Sequence, residues 1–195
     1  MDIKKKFYKA GYLIVTAPVV FKKISISIVC IVFLIIVIGC NFNSGLQICD
    51  LQAAFTTGNQ RAATDYIVIH HTAGRQDGTV NDICKVHFGE HQWSTIGYHY
   101  FVAADGTVYQ LKPDGEVAPH SFHYNNNAVA ICCSGNFNDY PMPEAQYRAL
   151  LKLTRQLLSK YKLTENDVLR HCDLKGNQTE CPGRNFDLTT FRKDL

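Results

Sequence analysis

Residues 66–71 read Tyr66-Ile67-Val68-Ile69-His70-His71. An unbroken apolar run rich in β-branched residues predicts a strand buried on both faces. Strands of that kind belong to α/β sheets, whose sites form at the carboxyl ends of the strands. That end carries two histidines here. Neighbouring strand residues point to opposite faces, so one histidine faces a site and the other packs away. The run alone leaves open which is which.

Downstream, Thr79 and Asp82 start a helix in the manner of a capping box. Val80, Ile83, Cys84, His87 and Phe88 then share one helical face over about 79–89. On that face Cys84 and His87 read as core residues. His91 and Trp93 fall in the loop beyond. Two strands, 97–103 and 107–111, flank Asp105-Gly106, a strong hairpin signal. Tyr98 and Tyr100 share one face of the first strand and His99 takes the other. A short buried strand is expected at 128–133, and the longest helix at 143–161 with proline at its start. Its stripe of Tyr147, Leu150, Leu151, Thr154, Leu157, Leu158 and Tyr161 faces inward, leaving Arg148, Lys152, Arg155 and Lys160 as the solvated side. A last strand, 167–171, also ends on a histidine, and 187–193 adds a helical turn. The expected fold is α/β: one domain with a central mixed sheet flanked by helices.

The segment after that last strand holds the chemistry. His171 and Cys181 lie in a stretch rich in Gly, Asn and Pro. With a histidine from the 66–71 strand they make a good zinc site, Zn2+ being served by two imidazoles and a thiolate. No fourth protein ligand is evident. Three ligands with an open position is the catalytic arrangement, whereas structural sites are closed by four. A thiol enzyme built on Cys132 or Cys133 is the remaining chemical alternative.

Charge divides the chain. Residues 1–40 hold six lysines and one aspartate; residues 41–195 hold 14 basic against 16 acidic side chains. The basic excess therefore flanks the leader, and the domain carries no basic face for nucleic acid. Ile24 to Gly39 is a sixteen-residue run without charge, the length of a signal-peptide core and short for a membrane span of roughly 20 residues. It ends Val37-Ile38-Gly39-Cys40, which resembles the lipobox of bacterial lipoproteins, with Cys40 as the acylated residue. An uncleaved signal anchor is the alternative. Residues 1–23 make a long start for such a leader, so initiation near Val19 or Val20 is an expectation, tested by sequencing the precursor's amino terminus. Either way the domain is expected to be exported, membrane-anchored and facing the periplasm or cell exterior. Residues 41–60 are mixed Asn, Gly, Gln and Thr with a short apolar patch, and read as a linker that partly packs on a domain spanning 61–195. The eight cysteines show no paired framework; one bridge is the most they suggest.

Four stretches together resemble the zinc amidases that include the short phage lysozyme-type enzymes and the peptidoglycan recognition proteins. They are IVIHHTAG (67–74), STIGYHYFVAADGTVYQ (94–110), HYNNNAVAI with SGNF (123–137), and RHCDL with TECPG (170–183). The resemblance implies the bond cleaved, the amide between the lactyl group of N-acetylmuramic acid and L-alanine, and so a peptidoglycan or muropeptide partner. It implies that His70 is the ligand of the first strand, beside His171 and Cys181, and that His71 packs or hydrogen-bonds. It also implies Tyr98 and Thr179 as catalytic, and His120 with Asn125 as substrate-binding.

Two departures bear on mechanism. The usual Gly-His-Arg-Asp is Arg170-His171-Cys172-Asp173 here. Cys132 stands where the cytoplasmic anhydro-muropeptide amidases carry glutamate, so that base is missing. The alternative of another class is a recognition protein that binds peptidoglycan without cutting it; binding-only members often lack the ligand cysteine that this chain has.

Overall fold

The computed structural model describes residues 40–43 and 46–195. The leader expected at 1–40 lies outside them except for Cys40. Among the described residues seven strands form one mixed sheet, in the order β1 (Cys40–Asn43), β2 (Leu46–Asp50), β5 (Val108–Gln110), β4 (Tyr100–Val102), β6 (Ala128–Cys133), β3 (Tyr66–His71) and β7 (Val168–Arg170). The apolar run is β3 (Tyr66–His71). It lies between two parallel neighbours, β6 (Ala128–Cys133) and β7 (Val168–Arg170). Ile67, Val68 and Ile69 are fully buried, as a strand covered on both faces requires. The expected hairpin is β4 (Tyr100–Val102) against β5 (Val108–Gln110), with β4 also parallel to β6.

Gly106 turns the hairpin at φ 89°, and a Cβ there would lie 2.8 Å from the Ala145 carbonyl oxygen. Only glycine lets the hairpin tip reach the first turn of α3 (Glu144–Tyr161). That helix buries Ala149, Leu150, Leu153, Thr154 and Leu157 against the sheet. Lys160 stays on the solvated face expected of it, with its side chain 58% exposed. Its ammonium reaches the buried Asp114 carboxylate at 2.9 Å, which also accepts from the Tyr100 hydroxyl at 2.5 Å and Tyr161 at 3.1 Å. The helix expected at 79–89 is α2 (Val80–Cys84), continuing as a π-helical turn over Lys85–Glu90. His87 is buried and accepts from the Gly97 amide at 3.1 Å, a core role. The terminal helix is α4 (Leu188–Lys193). Among the described residues no helix is long and apolar enough to cross a membrane.

The segment expected as a partly packed linker, 41–60, carries regular structure. Cys40–Asn43 forms β1 and Leu46–Asp50 forms β2; β2 extends the sheet by pairing parallel with β5. The short helix α1 (Gln52–Phe55) follows. Buried charge pins this segment. The Glu116 carboxylate accepts from the amides of Thr57 (2.8 Å) and Gly58 (3.1 Å) and from the Thr56 hydroxyl. Lys112, fully buried, stands 3.3 Å from Glu116 and donates to the Phe55 carbonyl at 3.3 Å and to Thr95 Oγ1 at 2.9 Å.

Glu116→Ala would leave the Lys112 ammonium buried without its partner. The expected loss is about 3–5 kcal/mol, read from the urea midpoint at unchanged m-value. Burial alone would push the Glu116 carboxyl up, but the donors from Thr56, Thr57 and Gly58 outweigh it and hold it at about 2, below its ordinary 4.5. A depressed value in the folded state gives stabilisation that is complete above 4.5 and lost as pH falls through about 2. Acid titration of stability should therefore steepen in that window for the native chain and flatten for Glu116→Gln.

Candidate metal centre

β3 and β7 run parallel and end side by side, so His70 and His171 meet at one sheet edge. His71↔Cys133 is the last β3–β6 pair, and Arg170 ends β7 just before His171. A tight turn over His171–Asp173 redirects the chain there. Arg170 and Asp173 brace that turn from either side, with a 2.7 Å ion pair and a hydrogen bond from the Arg170 amide to the carboxylate at 3.1 Å. The chain then loops back to Cys181, fastened by the Cys172 amide donating to the Cys181 carbonyl at 2.9 Å. Gly183 closes the loop at φ 106°. A Cβ at that position would stand 2.5 Å from the Phe137 carbonyl carbon, so only glycine packs there.

The donor atoms of His70, His171 and Cys181 lie within 4.8 Å of one another. His70 Nδ1 is 3.7 Å from Cys181 Sγ. Zinc bonds of ordinary length at a tetrahedral angle place nitrogen and sulfur about 3.5 Å apart, so this pair is spaced as two ligands of one ion. Protonation agrees. Burial, then the neighbouring imidazoles of His120, His171 and His71, drives His70 well below its usual range. Burial also lowers His171. Both rings are therefore neutral, the form a metal takes. Burial pushes the Cys181 thiol up to about 12, partly opposed by the His71 amide, which points at Sγ from 3.3 Å. A cation is what this site needs to make the thiolate, and the residues present fit zinc.

His71 takes no part in the donor cluster. Its Nδ1 accepts from the Phe137 amide at 3.1 Å, and burial lowers it to about 4. Parity along β3 thus separates the two histidines as expected. Cys132 and Cys133 are fully buried and their thiols are pushed up, first by burial. Inaccessible and protonated, they are not nucleophiles, which removes the thiol-enzyme reading.

The other expected residues fall around this cluster. The Tyr98 ring lies 5.2 Å from the His70 ring, with its hydroxyl against the Cys132 thiol. Burial, then the thiols of Cys132 and Cys181, raises the phenol well above its ordinary value. Thr179 is exposed and its Oγ1 accepts from the Cys181 amide at 3.1 Å, shaping the ligand loop. His120 is buried against His70, with Nδ1 3.0 Å from His70 Nε2. Its own Nε2 has no hydrogen-bond partner among the described residues. Asn125 uses Oδ1 to accept from the amides of His120 and Ser121, both at 2.9 Å. Cys40 opens β1, far along the sheet order from β3 and β7. One residue beside the site escaped sequence reasoning. Asn177 Oδ1 is 3.2 Å from His171 Nε2, and nothing in a Lys-Gly-Asn-Gln loop marks it except its place between two ligands.

A mixed sheet that brings two imidazoles and a thiol together beyond the ends of β3 and β7 defines an α/β domain with a His/His/Cys cluster that could hold a metal ion. Within that class the chain belongs to the N-acetylmuramoyl-L-alanine amidase family, whose model matches residues 60–184. It is 34% identical over 118 residues to the endolysin of Escherichia phage T7, covering 57% of this chain and 76% of the phage protein. Among solved structures it is similar to the N-acetylmuramoyl-L-alanine amidase LysC from Clostridium intestinale URNW, with a TM-score of 0.64 and 33% identity over 75% of this chain and 95% of that one. It is also similar to a chain of the ectodomain complex of peptidoglycan recognition proteins LCa and LCx bound to tracheal cytotoxin. There the TM-score is 0.60 and the identity 26%, over 70% of this chain and 91% of that one.

Proposed function

We propose that this chain is a zinc-dependent amidase that hydrolyses the amide between the lactyl group of N-acetylmuramic acid and the L-alanine of a peptidoglycan stem peptide. The observation that carries the reading is the convergence of His70, His171 and Cys181 within 4.8 Å, in a chain of this family. Zinc held by three protein ligands activates water at a pKa near about 7 and polarises a carbonyl.

The chain's own residues supply the rest. Tyr98 holds its proton throughout the neutral range, so its phenol is a donor for the oxyanion that develops on the lactyl carbonyl. The Thr179 hydroxyl, while accepting from the Cys181 amide, keeps its own hydrogen to donate to the same oxygen. His120 Nε2 is a buried polar atom left over for the muropeptide, and Asn125, whose Oδ1 holds the His120 amide at 2.9 Å, lines the same loop. Water adds its oxygen to the carbonyl carbon, the carbon–nitrogen bond breaks, and the alanine amine leaves with a proton passed through Tyr98 or solvent. With Cys132 protonated in the interior, no carboxylate base is offered from β6.

The exported, anchored location belongs to the same proposal and is supported by the charge and apolar pattern of residues 1–40. Because Cys40 opens β1, an acyl chain on it would leave no spacer between the bilayer and the sheet edge.

Full-length chain in detergent, incubated with a purified muropeptide, is expected to release the stem peptide. Release should stop with a zinc chelator and return when zinc is added back. Tight binding without release by a zinc-loaded preparation would replace the amidase by a recognition protein.

A further inference from the structure

We infer that Asn177 and His120 are positioning residues that hold both histidine ligands by Nε2, so that each presents Nδ1 to the metal. The inference rests on the zinc reading above and assigns its inner geometry.

The Asn177 side-chain amide has its orientation fixed from outside the site. Asn177 faces the backbone of Phe122 twice: Oδ1 accepts from the Phe122 amide at 3.1 Å, and Nδ2 donates to the Phe122 carbonyl at 3.1 Å. Reversing the amide would set donor against donor and acceptor against acceptor. Oδ1 is therefore the atom that meets His171 Nε2 at 3.2 Å, and it also takes the Ser121 hydroxyl at 3.2 Å. An oxygen that only accepts requires the His171 proton on Nε2, which leaves Nδ1 bare.

The same loop acts on the other ligand. Asn125 clamps the amides of His120 and Ser121, and the His120 ring stands edge-on to His70 at 89° with Nδ1 3.0 Å from His70 Nε2. His70 Nδ1 is the nitrogen 3.7 Å from Cys181 Sγ. For that nitrogen to be a ligand it must be bare, so the proton lies on Nε2 and His120 Nδ1 accepts it. Residues 120–125 thus hold one ligand directly and the other through Asn177. Partners of this kind fix ring orientation and tautomer, and losing one lowers metal affinity about 10–100-fold.

The test has two readouts besides activity. Zinc affinity is measured by competition with a chromophoric chelator, and ring tautomers by long-range proton–nitrogen NMR of the zinc-loaded chain. Asn177→Ala and His120→Ala are each expected to weaken zinc binding about 10–100-fold. Asn177→Asp and His120→Asn, which restore an acceptor oxygen, should recover most of it. A general loss of packing would not be rescued in this way. The spectrum of the unaltered chain, which needs no variant to fold, should show both ligand rings protonated at Nε2. Zinc bound through Nε2 of either ring, or alanine variants with unchanged affinity, would overturn the inference and leave the amidase reading standing. Failure of the unaltered chain to bind zinc would overturn both.

Discussion

Cys181→Ala is expected to lose both zinc and turnover. Cys181 is the one soft, anionic donor of the cluster, and the imidazoles that remain are neutral and bring no charge to balance a dication. A Lewis acid contributes several kcal/mol to such a reaction, and each 1.36 kcal/mol is tenfold in rate, so kcat should fall about 10³-fold or more. The fold should survive. The sulfur serves as acceptor for a single amide, that of His71 at 3.3 Å, while the loop is tied elsewhere by the Cys172 amide at 2.9 Å and by Thr179. Metal content, turnover and the unfolding midpoint of the purified variant check the three statements separately. Full activity in a zinc-free variant would contradict them.

The Tyr98→Phe variant is expected to keep its zinc and lose rate. Phenylalanine fills the same space beside His70 and removes only the hydroxyl. Loss of one donor to a developing oxyanion costs about 10²–10³ in kcat, or about 2.7–4 kcal/mol. KM should change little, because the interaction forms in the transition state rather than on binding. The raised phenol value also predicts that no basic limb of the rate profile belongs to Tyr98 in the range where the protein is stable. Unchanged kcat would remove Tyr98 from the mechanism and leave Thr179 as the side-chain donor.

The elements with strong local signals were legible in the sequence. An apolar run with no alternation made β3 a strand buried on both faces, Asp105-Gly106 marked the hairpin, and an apolar stripe marked α3. The period of two along β3 separated the two histidines, though only likeness to a family said which was the ligand. The rest depended on distant partners. β1 and β2 lie in a polar segment at the sheet edge, where backbone pairing to β5 matters more than side-chain pattern. Lys112 and Glu116 carry no local pattern that marks them for burial; each is buried because the other is near and because residues 55–58 supply the donors and acceptors. Asn177 belongs to no catalytic residue type. Its significance appears only when the 120–125 loop folds over it and turns its amide toward His171.

Isotope labelling reads out which bond is broken. A purified muropeptide would be digested by the full-length chain in water enriched in oxygen-18, and both products weighed by mass spectrometry. The account predicts one heavy oxygen in the lactyl carboxylate of the muramic acid product and none in the stem peptide, which carries a free L-alanine amine. A label in the peptide, or a cut at a glycosidic bond, would contradict it.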